Sequence, residues 1–288
     1  WRNVMFYNEH TWGAHNSISE PDSPFAIQQD AFKQAYAFDC EKLSHELLED
    51  IAKPEENAKC SVFDVTNTTS WTRDGLIICP SNGVEIVDGG GKPVPAQVLA
   101  SNELAFVARD VPAFGARRYT VREGVGLCTG SVKAEGLTLS SDLLTIRIDP
   151  KTGAVASLRR KGIADDLVDS EKGSGLNDYL YILGRDAEKN RQSIEGDVKV
   201  AVEDKGPVVG TIRIESAAPG CEKLVRRVRI VDGLDYVELF DDVKKARERN
   251  PEGVYFGFPF NIPGAEARID TPWAVVRAEK DQLEGANR

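Results

Sequence analysis

Hydrophobic residues follow two different periods along this chain, and the change falls near residue 57. Between residues 25 and 51 they recur at steps of three, four or seven, the spacing of one face of an α-helix. Asp22 or Ser23 can cap this helix, Pro24 suits its first turn, and Pro54 ends it. The apolar positions are Phe25, Phe32, Tyr36, Cys40, Leu43, Leu47 and Ile51. A helix of about seven or eight turns with one apolar face needs partners, and because the chain offers no second strong helix, we expect them outside these residues.

From residue 58 onward, short apolar or β-branched runs alternate with Gly, Pro and Asn, a pattern typical of strands joined by turns. Helical signal is nearly absent here, and Asp149–Gly153 has Pro and Gly at turn positions. The pattern therefore predicts a mainly β fold, an antiparallel β-sandwich preceded by one long α-helix. The predicted strands are Ser61–Thr66, Gly75–Cys79, Glu85–Val87, Leu104–Ala108, Arg117–Val121, Leu143–Ile148, Val155–Leu158, Tyr179–Leu183, Val198–Val202, Val209–Glu215, Leu224–Val231, Tyr236–Asp242 and Val254–Phe260.

These patterns predict three parts: 1–57 with the helix, 58–124 as a small β-sandwich, and 125–288 as a larger, truncated β-sandwich. A stretch rich in Gly and Lys, residues 122–135, divides the two sheet regions. The chain begins at Trp1 without an initiator Met, and it stops at Arg288 without a capping or tail signal. We therefore expect it to be a piece of a longer protein.

Composition is that of a globular protein, with 41% hydrophobic and 28% charged residues among 288. The formal net charge of -10 argues against nucleic acid as a main partner, since phosphates call for clustered Lys and Arg. No apolar run is long enough to span a bilayer, so we expect no membrane insertion. The five cysteines are scattered without CxxC spacing, which argues against a zinc site built from them. Free thiols slightly favour the cytoplasm over the periplasm, and the compartment otherwise stays open.

One segment, Tyr7–Ser17, concentrates groups that could perform chemistry. It contains a carboxylate (Glu9), two imidazoles (His10 and His15) and an indole (Trp12). Imidazole is the commonest metal ligand, a carboxylate can orient it or bind a hydroxyl, and aromatic rings suit sugar faces. The two histidines are five residues apart, so at most one should reach a shared metal. The residues alone leave a second interpretation open, a capped turn whose histidines are merely hydrogen-bonded.

The run Glu-His-Thr-Trp-Gly-Ala at residues 9–14, followed by Asn16-Ser17 and Ser19-Glu-Pro, resembles the segment that opens the middle helical bundle of bacterial family 38 α-mannosidases. In that family its His is a zinc ligand and a neighbouring acid contacts the sugar. The resemblance implies that His10, the only imidazole before the shared Gly13, binds zinc. It implies Glu9 or Asn8 as a nearby substrate contact, with Trp12 beside them.

Further segments resemble the same family in the same order along nearly the whole chain. In the family they belong to the C-terminal, galactose-mutarotase-like β-sandwich region. They are Asp64–Asn67, Ser70–Arg73, Gly91–Gln97, Val111–Tyr119, Asp149–Leu158, Lys205–Pro207 and Tyr255–Phe260. Asn177–Leu183 resembles a segment from which a tyrosine hydroxyl enters the pocket, which implies Tyr179 as a substrate contact. Tyr181 is the alternative, and both could instead be strand tyrosines without a role in binding.

The resemblance implies part of a zinc-dependent retaining exo-α-mannosidase that hydrolyses terminal α-mannosides of glycans. Such an enzyme needs two carboxyl groups about 5 Å apart, and in this family they lie in an N-terminal α/β domain with the remaining zinc ligands. This chain has no His-x-Asp pair, so we expect no catalytic residue and no activity from these residues alone. The implied partners are that domain and α-mannoside glycans. A carbohydrate-binding module or a purely architectural sandwich remains the alternative.

Overall fold

The chain forms a mainly β structure with several antiparallel sheets, preceded by one long helix, as the sequence predicted. The computed structural model describes residues 1–8, 15–51, 62–80, 83–169, 174–278 and 280–282. Backbone contacts divide the chain into two compact units, Trp1–Lys59 and Cys60–Arg288. The predicted boundary between residues 124 and 125 falls inside the second unit and stays a prediction.

The first unit pairs a short helix, α1 (Arg2–Tyr7), with the long helix α2 (Pro24–Ile51). Ser23 caps α2, since its Oγ accepts the backbone N–H of Ala26 at 3.2 Å. The rings of Phe6 on α1 and Tyr36 on α2 stack with centroids 5.5 Å apart. Aromatic contacts of this kind hold the two helices together.

The apolar stripe of α2 is only partly covered in the described part of the first unit. Leu43, Leu47 and Ile51 are all exposed, and Ala26 is the one described α2 residue that is buried. Neither α1 nor α2 combines the length and the hydropathy that crossing a membrane requires. The sequence-based expectation that α2 needs further partners is consistent with this exposure.

The described part of the second unit contains twenty short strands, and every strand that the sequence predicted overlaps an observed one. The strands that it missed (β4, β5, β8, β9, β13, β19 and β20) are only two to four residues long, too short for a period to register. The full set is β1 (Val62–Thr66), β2 (Arg73–Pro80), β3 (Glu85–Asp88), β4 (Pro93–Val94), β5 (Ala96–Val98), β6 (Glu103–Val111), β7 (Ala116–Arg122), β8 (Lys133–Glu135), β9 (Thr138–Ser140), β10 (Leu144–Ile148), β11 (Val155–Arg160), β12 (Asp178–Leu183), β13 (Arg191–Ser193), β14 (Val198–Lys205), β15 (Val209–Ala218), β16 (Cys221–Val231), β17 (Glu238–Lys245), β18 (Glu252–Gly257), β19 (Arg268–Thr271) and β20 (Ala274–Arg277).

Three of the four hydrophobic clusters among the described residues show how these strands pack. Sheets β1-β7-β3-β4 and β2-β6-β5 enclose a cluster around Phe106 and Tyr119. Sheets β11-β10-β9-β8 and β14-β15-β16-β17 enclose a second cluster that includes Ile146 and Ile212. The sheet β13-β12-β18 contributes Tyr179 to a third, which Leu224 of β16 also joins. Alternating burial along these strands fits the period of two that the sequence shows.

A buried glutamine links the sheet β2-β6-β5 to the start of β15 in the sheet β14-β15-β16-β17. Gln97 of β5 accepts hydrogen bonds at Oε1 from the backbone N–H groups of Val208 and Val209, both at 2.9 Å. Its Nε2 donates to the carbonyl oxygen of Val209 at 3.0 Å. One side chain therefore satisfies three backbone groups about a hundred residues away in the sequence.

Candidate functional site

The predicted zinc and sugar contacts at the start of the chain fall in residues 9–14. Glu9, His10 and Trp12 therefore lie outside the described residues, and their roles stay predictions. Of their described neighbours, Asn8 ends α1, with its backbone N–H and its Nδ2 donating to the carbonyl oxygen of Val4 at 3.2 and 2.9 Å. His15 is exposed, and its backbone N–H donates to Oε1 of Gln29 at 2.8 Å.

His, Cys, Asp and Glu side chains are the usual protein ligands of a metal ion. Within the described ranges, no three of these residues come together in a way that could hold a metal ion. The described residues thus supply no donor set against which to test the fit of zinc.

The two tyrosines predicted as alternatives for a sugar contact share one face of β12, as residues two apart on a strand do. Tyr179 is fully buried and Tyr181 almost so. The hydroxyl of Tyr179 donates to the carbonyl oxygen of Pro219 at 2.6 Å and lies 3.1 Å from Sγ of Cys221. Its ring meets Phe256 edge-on, with centroids 5.7 Å apart.

The surroundings of Tyr179 keep it in its neutral form. Burial, followed by the contact with the Cys221 thiol, raises the pKa of its hydroxyl well above the ordinary value. To contact a sugar, this hydroxyl would have to leave Pro219 and the side chain would have to reach solvent. The geometry therefore gives Tyr179 a packing role, and its predicted substrate contact stays a prediction.

Tyr181 belongs to a polar chain that reaches the surface. Its hydroxyl donates to Oε2 of Glu252 at 2.6 Å, and Nζ of Lys245 lies 2.8 Å from the same oxygen. Burial, with the Glu252 hydrogen bond as the second cause, raises the pKa of Tyr181 to about 12. Gly220 lies against the ring, where an added Cβ would clash with it. This arrangement fixes β12 to β17 and β18 through a charged pair.

A second polar cluster surrounds Arg226, which is completely buried on β16. Its guanidinium donates to the carbonyl oxygen of Asn177 at 3.0 Å and also to that of Thr152. The Nδ2 group of Asn177 in turn donates to Oδ1 of Asp241 at 2.8 Å. Three segments far apart in the sequence thus converge on one side chain.

Electrostatics around Arg226 reflect opposing effects of burial and neighbouring charge. Burial lowers the pKa of the guanidinium, while the carboxylates of Asp241 and Asp178 raise it. Burial also raises the pKa of Asp178. A buried cation with flanking carboxylates and hydrogen bonds to two carbonyls is stabilised in place, because each partner offsets part of the desolvation cost.

Sequence reasoning did not single out Arg226, although a signal exists. Leu224, Arg226 and Val228 occupy alternate positions of β16, and all three are buried. A charged residue whose neighbours two positions away on a strand are apolar lies on the same face as they do, and this pattern indicates a buried charge. Both described clusters, at Tyr181 and at Arg226, connect strands.

Comparison with protein-family models and with curated proteins finds no match to this sequence. The chemistry predicted for residues 9–14 therefore rests on the resemblance of short segments.

Proposed function

We propose that this chain is part of a zinc-dependent retaining exo-α-mannosidase of glycoside hydrolase family 38, acting on terminal α-mannosides of glycans. The observation that carries the proposal is the order of its segments: the histidine segment first, then one long helix, then antiparallel sheets. The helix and the sheets are present in that order.

Structural roles of the family-like segments support the proposal further. Asn67, at the end of Asp64–Asn67, is buried and donates from Nδ2 to the carbonyl oxygens of Trp71 at 2.7 Å and Val111 at 3.1 Å. One side chain thus connects three of the family-like segments. The three segments therefore lie together in the sheet unit.

The turn predicted at Asp149–Gly153 also forms, between β10 and β11. The backbone N–H of Gly153 donates to the carbonyl oxygen of Asp149, and that of Asp149 to the carbonyl oxygen of Ala154, both at 2.8 Å. Gly153 has φ +71, a value that glycine adopts readily. The hairpin that the resemblance implies therefore has a physical basis in these residues.

Zinc, when bound, would supply electrophilic stabilisation and orient the sugar, with His10 as one of its ligands. A lasting site takes three or four protein ligands, and the family places the others in a preceding domain with the two carboxylates. Glu9 and Trp12 would hold the sugar. Residues 1–288 by themselves are accordingly expected to show no hydrolysis.

The proposal is tested by hydrolysis of an aryl α-mannoside by the full-length protein that contains this chain. We expect activity that a chelator abolishes, and a loss of at least about 100-fold in His10→Ala, since even partners outside a metal's ligand set cost 10- to 100-fold. His15→Ala and His45→Ala are matched controls; both residues are exposed, and both variants should keep activity.

Activity that resists chelation and survives His10→Ala would contradict the zinc site. If the full-length protein hydrolyses no α-mannoside, calorimetry of this chain with mannobioses separates the alternatives. Saturable binding would favour a carbohydrate-binding module, and no binding would favour an architectural sandwich.

A further inference from the structure

Three aspartates of the chain are followed by glycine, the pair at which a protein backbone rearranges most readily. In this rearrangement the glycine nitrogen attacks Cγ of the aspartate side chain, and a five-membered succinimide ring forms. Glycine favours the attack because it has no Cβ to crowd the nitrogen and because its backbone rotates most freely. The two atoms must be able to meet, so the structure decides which pair reacts. The pairs are Asp74-Gly75, Asp88-Gly89 and Asp232-Gly233.

Asp74 is held by residues that lie far from it in the sequence. Its Oδ1 accepts the backbone N–H of Asp110 at 2.7 Å, and its Oδ2 forms an ion pair with Arg109 at 2.9 Å. Gly75 is paired with Ala108 in the ladder between β2 and β6. The aspartate and its glycine are therefore both fixed between two strands, and the reacting atoms can meet only if these strands separate.

Asp232 is fixed in the same way. Its Oδ1 accepts two hydrogen bonds from Ser131, one from the backbone N–H at 2.8 Å and one from the hydroxyl at 2.6 Å. Its carbonyl oxygen accepts from Nη2 of Arg109 at 2.7 Å, and its N–H donates to the carbonyl oxygen of Val208 at 2.8 Å. Three distant segments thus hold both the backbone and the side chain of Asp232.

Within the described residues, the side chain of Asp88 is held only by its own turn, which joins β3 to β4. Its Oδ1 accepts the backbone N–H groups of Gly90 and Lys92, both at 2.9 Å. Two backbone bonds close the turn, from Asp88 N–H to the carbonyl oxygen of Lys92 and from Gly91 N–H to that of Asp88, again at 2.9 Å. A local opening of the turn therefore releases the side chain, while the pairing of Asp88 with Tyr119 of β7 can stay intact.

The attacking nitrogen is free as well. In the part of the chain that the structure describes, the N–H of Gly89 donates no hydrogen bond, and residues 89–92 are exposed. Gly89, Gly90 and Gly91 follow one another, so the backbone of this turn rotates with little restriction. Strand β4 has only two residues and is the last strand of its sheet. Little therefore opposes local opening of the turn.

We propose that Asp88-Gly89 is a modification site, at which Asp88 of the folded chain converts to isoaspartate much faster than Asp74 or Asp232 does. The nitrogen of Gly89 bonds to Cγ of the protonated Asp88 side chain, whose hydroxyl leaves with the amide proton as water. A second water molecule then adds to the main-chain carbonyl carbon of Asp88 and breaks its bond to the Gly89 nitrogen. The chain now runs through Cγ, the former main-chain carbonyl is a free carboxyl group, and the mass is unchanged.

The test ages the whole 288-residue chain for several weeks at mildly acidic pH, where a fraction of the Asp88 side chains is protonated. The chain is then unfolded and digested with an endoproteinase that cuts before aspartate but not before isoaspartate. We expect cleavage before Asp88 to be lost progressively, while cleavage before Asp74 and before Asp232 remains complete. Electron-transfer fragmentation locates the isoaspartate, and the unchanged mass distinguishes it from a deamidated Asn82.

Gly89→Ala tests the role of the turn. The φ of Gly89 is not in the left-handed region, and an added Cβ would lie 3.6 Å from the carbonyl oxygen of Arg118, an ordinary contact, so the variant should fold. We expect isoaspartate at position 88 to fall several-fold, because the new side chain crowds the attacking nitrogen. Gly75→Ala is the matched control. Nothing lies within 4 Å of its Cβ position, and it should leave isoaspartate at position 88 unchanged.

The chain unfolded in urea is the reference in which no tertiary contact protects any pair. There we expect all three aspartates to isomerise at similar rates. Isoaspartate that forms no faster at Asp88 than at Asp74 or Asp232 in the folded chain would overturn the proposal. An unchanged rate in Gly89→Ala would do so too. So would a preference for Asp88 that is as large in urea as in the folded chain, since the sequence alone would then explain it.

Discussion

Arg226 occupies a position of β16 that the period of two assigns to an apolar residue. Its burial depends on space as well as on hydrogen bonds. Gly153 lies so close that an added Cβ would clash with the Arg226 guanidinium and with Ile214. The arginine side chain of β16 therefore occupies space that is available only because residue 153 is a glycine.

Gly153→Ala should destabilise the chain more than an alanine at a comparable turn. Both Gly153 and Gly136 have positive φ, +71 and +57, but nothing lies within 4 Å of the Cβ position of Gly136. Gly136→Ala should cost about 1–2 kcal/mol for the backbone alone. Gly153→Ala should cost about 1–3 kcal/mol more, from overpacking. Urea unfolding of both variants gives the difference, and equal losses would contradict the predicted clash.

The raised pKa of Tyr181 predicts a fall in stability at alkaline pH. The unfolded chain ionises this tyrosine near pH 10, whereas the folded chain holds the proton until about pH 12. The stabilisation is therefore constant below about pH 10 and is lost as the pH rises from there to about 12. An absorbance titration that follows tyrosinate formation should show one tyrosine fewer ionising near pH 12 in Tyr181→Phe than in the unmodified chain.

The unmodified chain, titrated in parallel, is the reference for that curve. A Tyr181→Phe curve identical to that of the unmodified chain above pH 10 would refute the assignment.

At the scale of elements, α2 is the feature most fully specified by local sequence. Its stripe, its Ser23 cap and its first-turn proline all lie within the segment that folds. The pairing of β17 is the opposite case. Its own sequence does not state that β16 is its neighbour, because the two strands are brought together by the fold of the whole sheet.

Ser23→Ala should lower the stability of α2 by about 1 kcal/mol, because the backbone N–H of Ala26 loses its acceptor. Ser19→Ala is the control, since Ser19 is exposed and precedes the helix. Thermal unfolding followed by circular dichroism at a helical wavelength compares the two. An unchanged transition in Ser23→Ala would show that the cap contributes nothing.

At the scale of the whole molecule, the described chain has a helical unit and a sheet unit, each with its own contacts. Within the sheet unit, Gln97 couples the β2-β6-β5 sheet to β15 through three backbone groups. The two groups of sheets are therefore expected to unfold together.

Gln97→Leu should reduce the free energy of unfolding by at least about 2 kcal/mol, since buried backbone groups without partners cost about 1–3 kcal/mol each. Gln192→Leu, on an exposed part of β13, should change it by no more than about 0.5 kcal/mol. Denaturant titration of both variants provides the measurement. Similar small effects at the two positions would argue against coupling through Gln97.

Much of the fold could be predicted from the sequence because its signals are local. The helix follows from apolar spacing between Phe25 and Ile51, and the strands follow from alternation and turn residues. The candidate site was harder to predict from the sequence. Tyr179 and Tyr181 could be placed on one strand, but their burial depends on Pro219, Cys221 and Glu252, which other segments bring to them.

The sequence by itself determined the class of fold, the long helix, most strands and the segments that resemble an α-mannosidase. Each of these depends on residues that are close together in the sequence. Only the tertiary structure decided which polar side chains are buried, as at Arg226 and Gln97, and which strands pair, as β12 does with β18. Burial and pairing depend on residues far apart in the chain, and no local period records them.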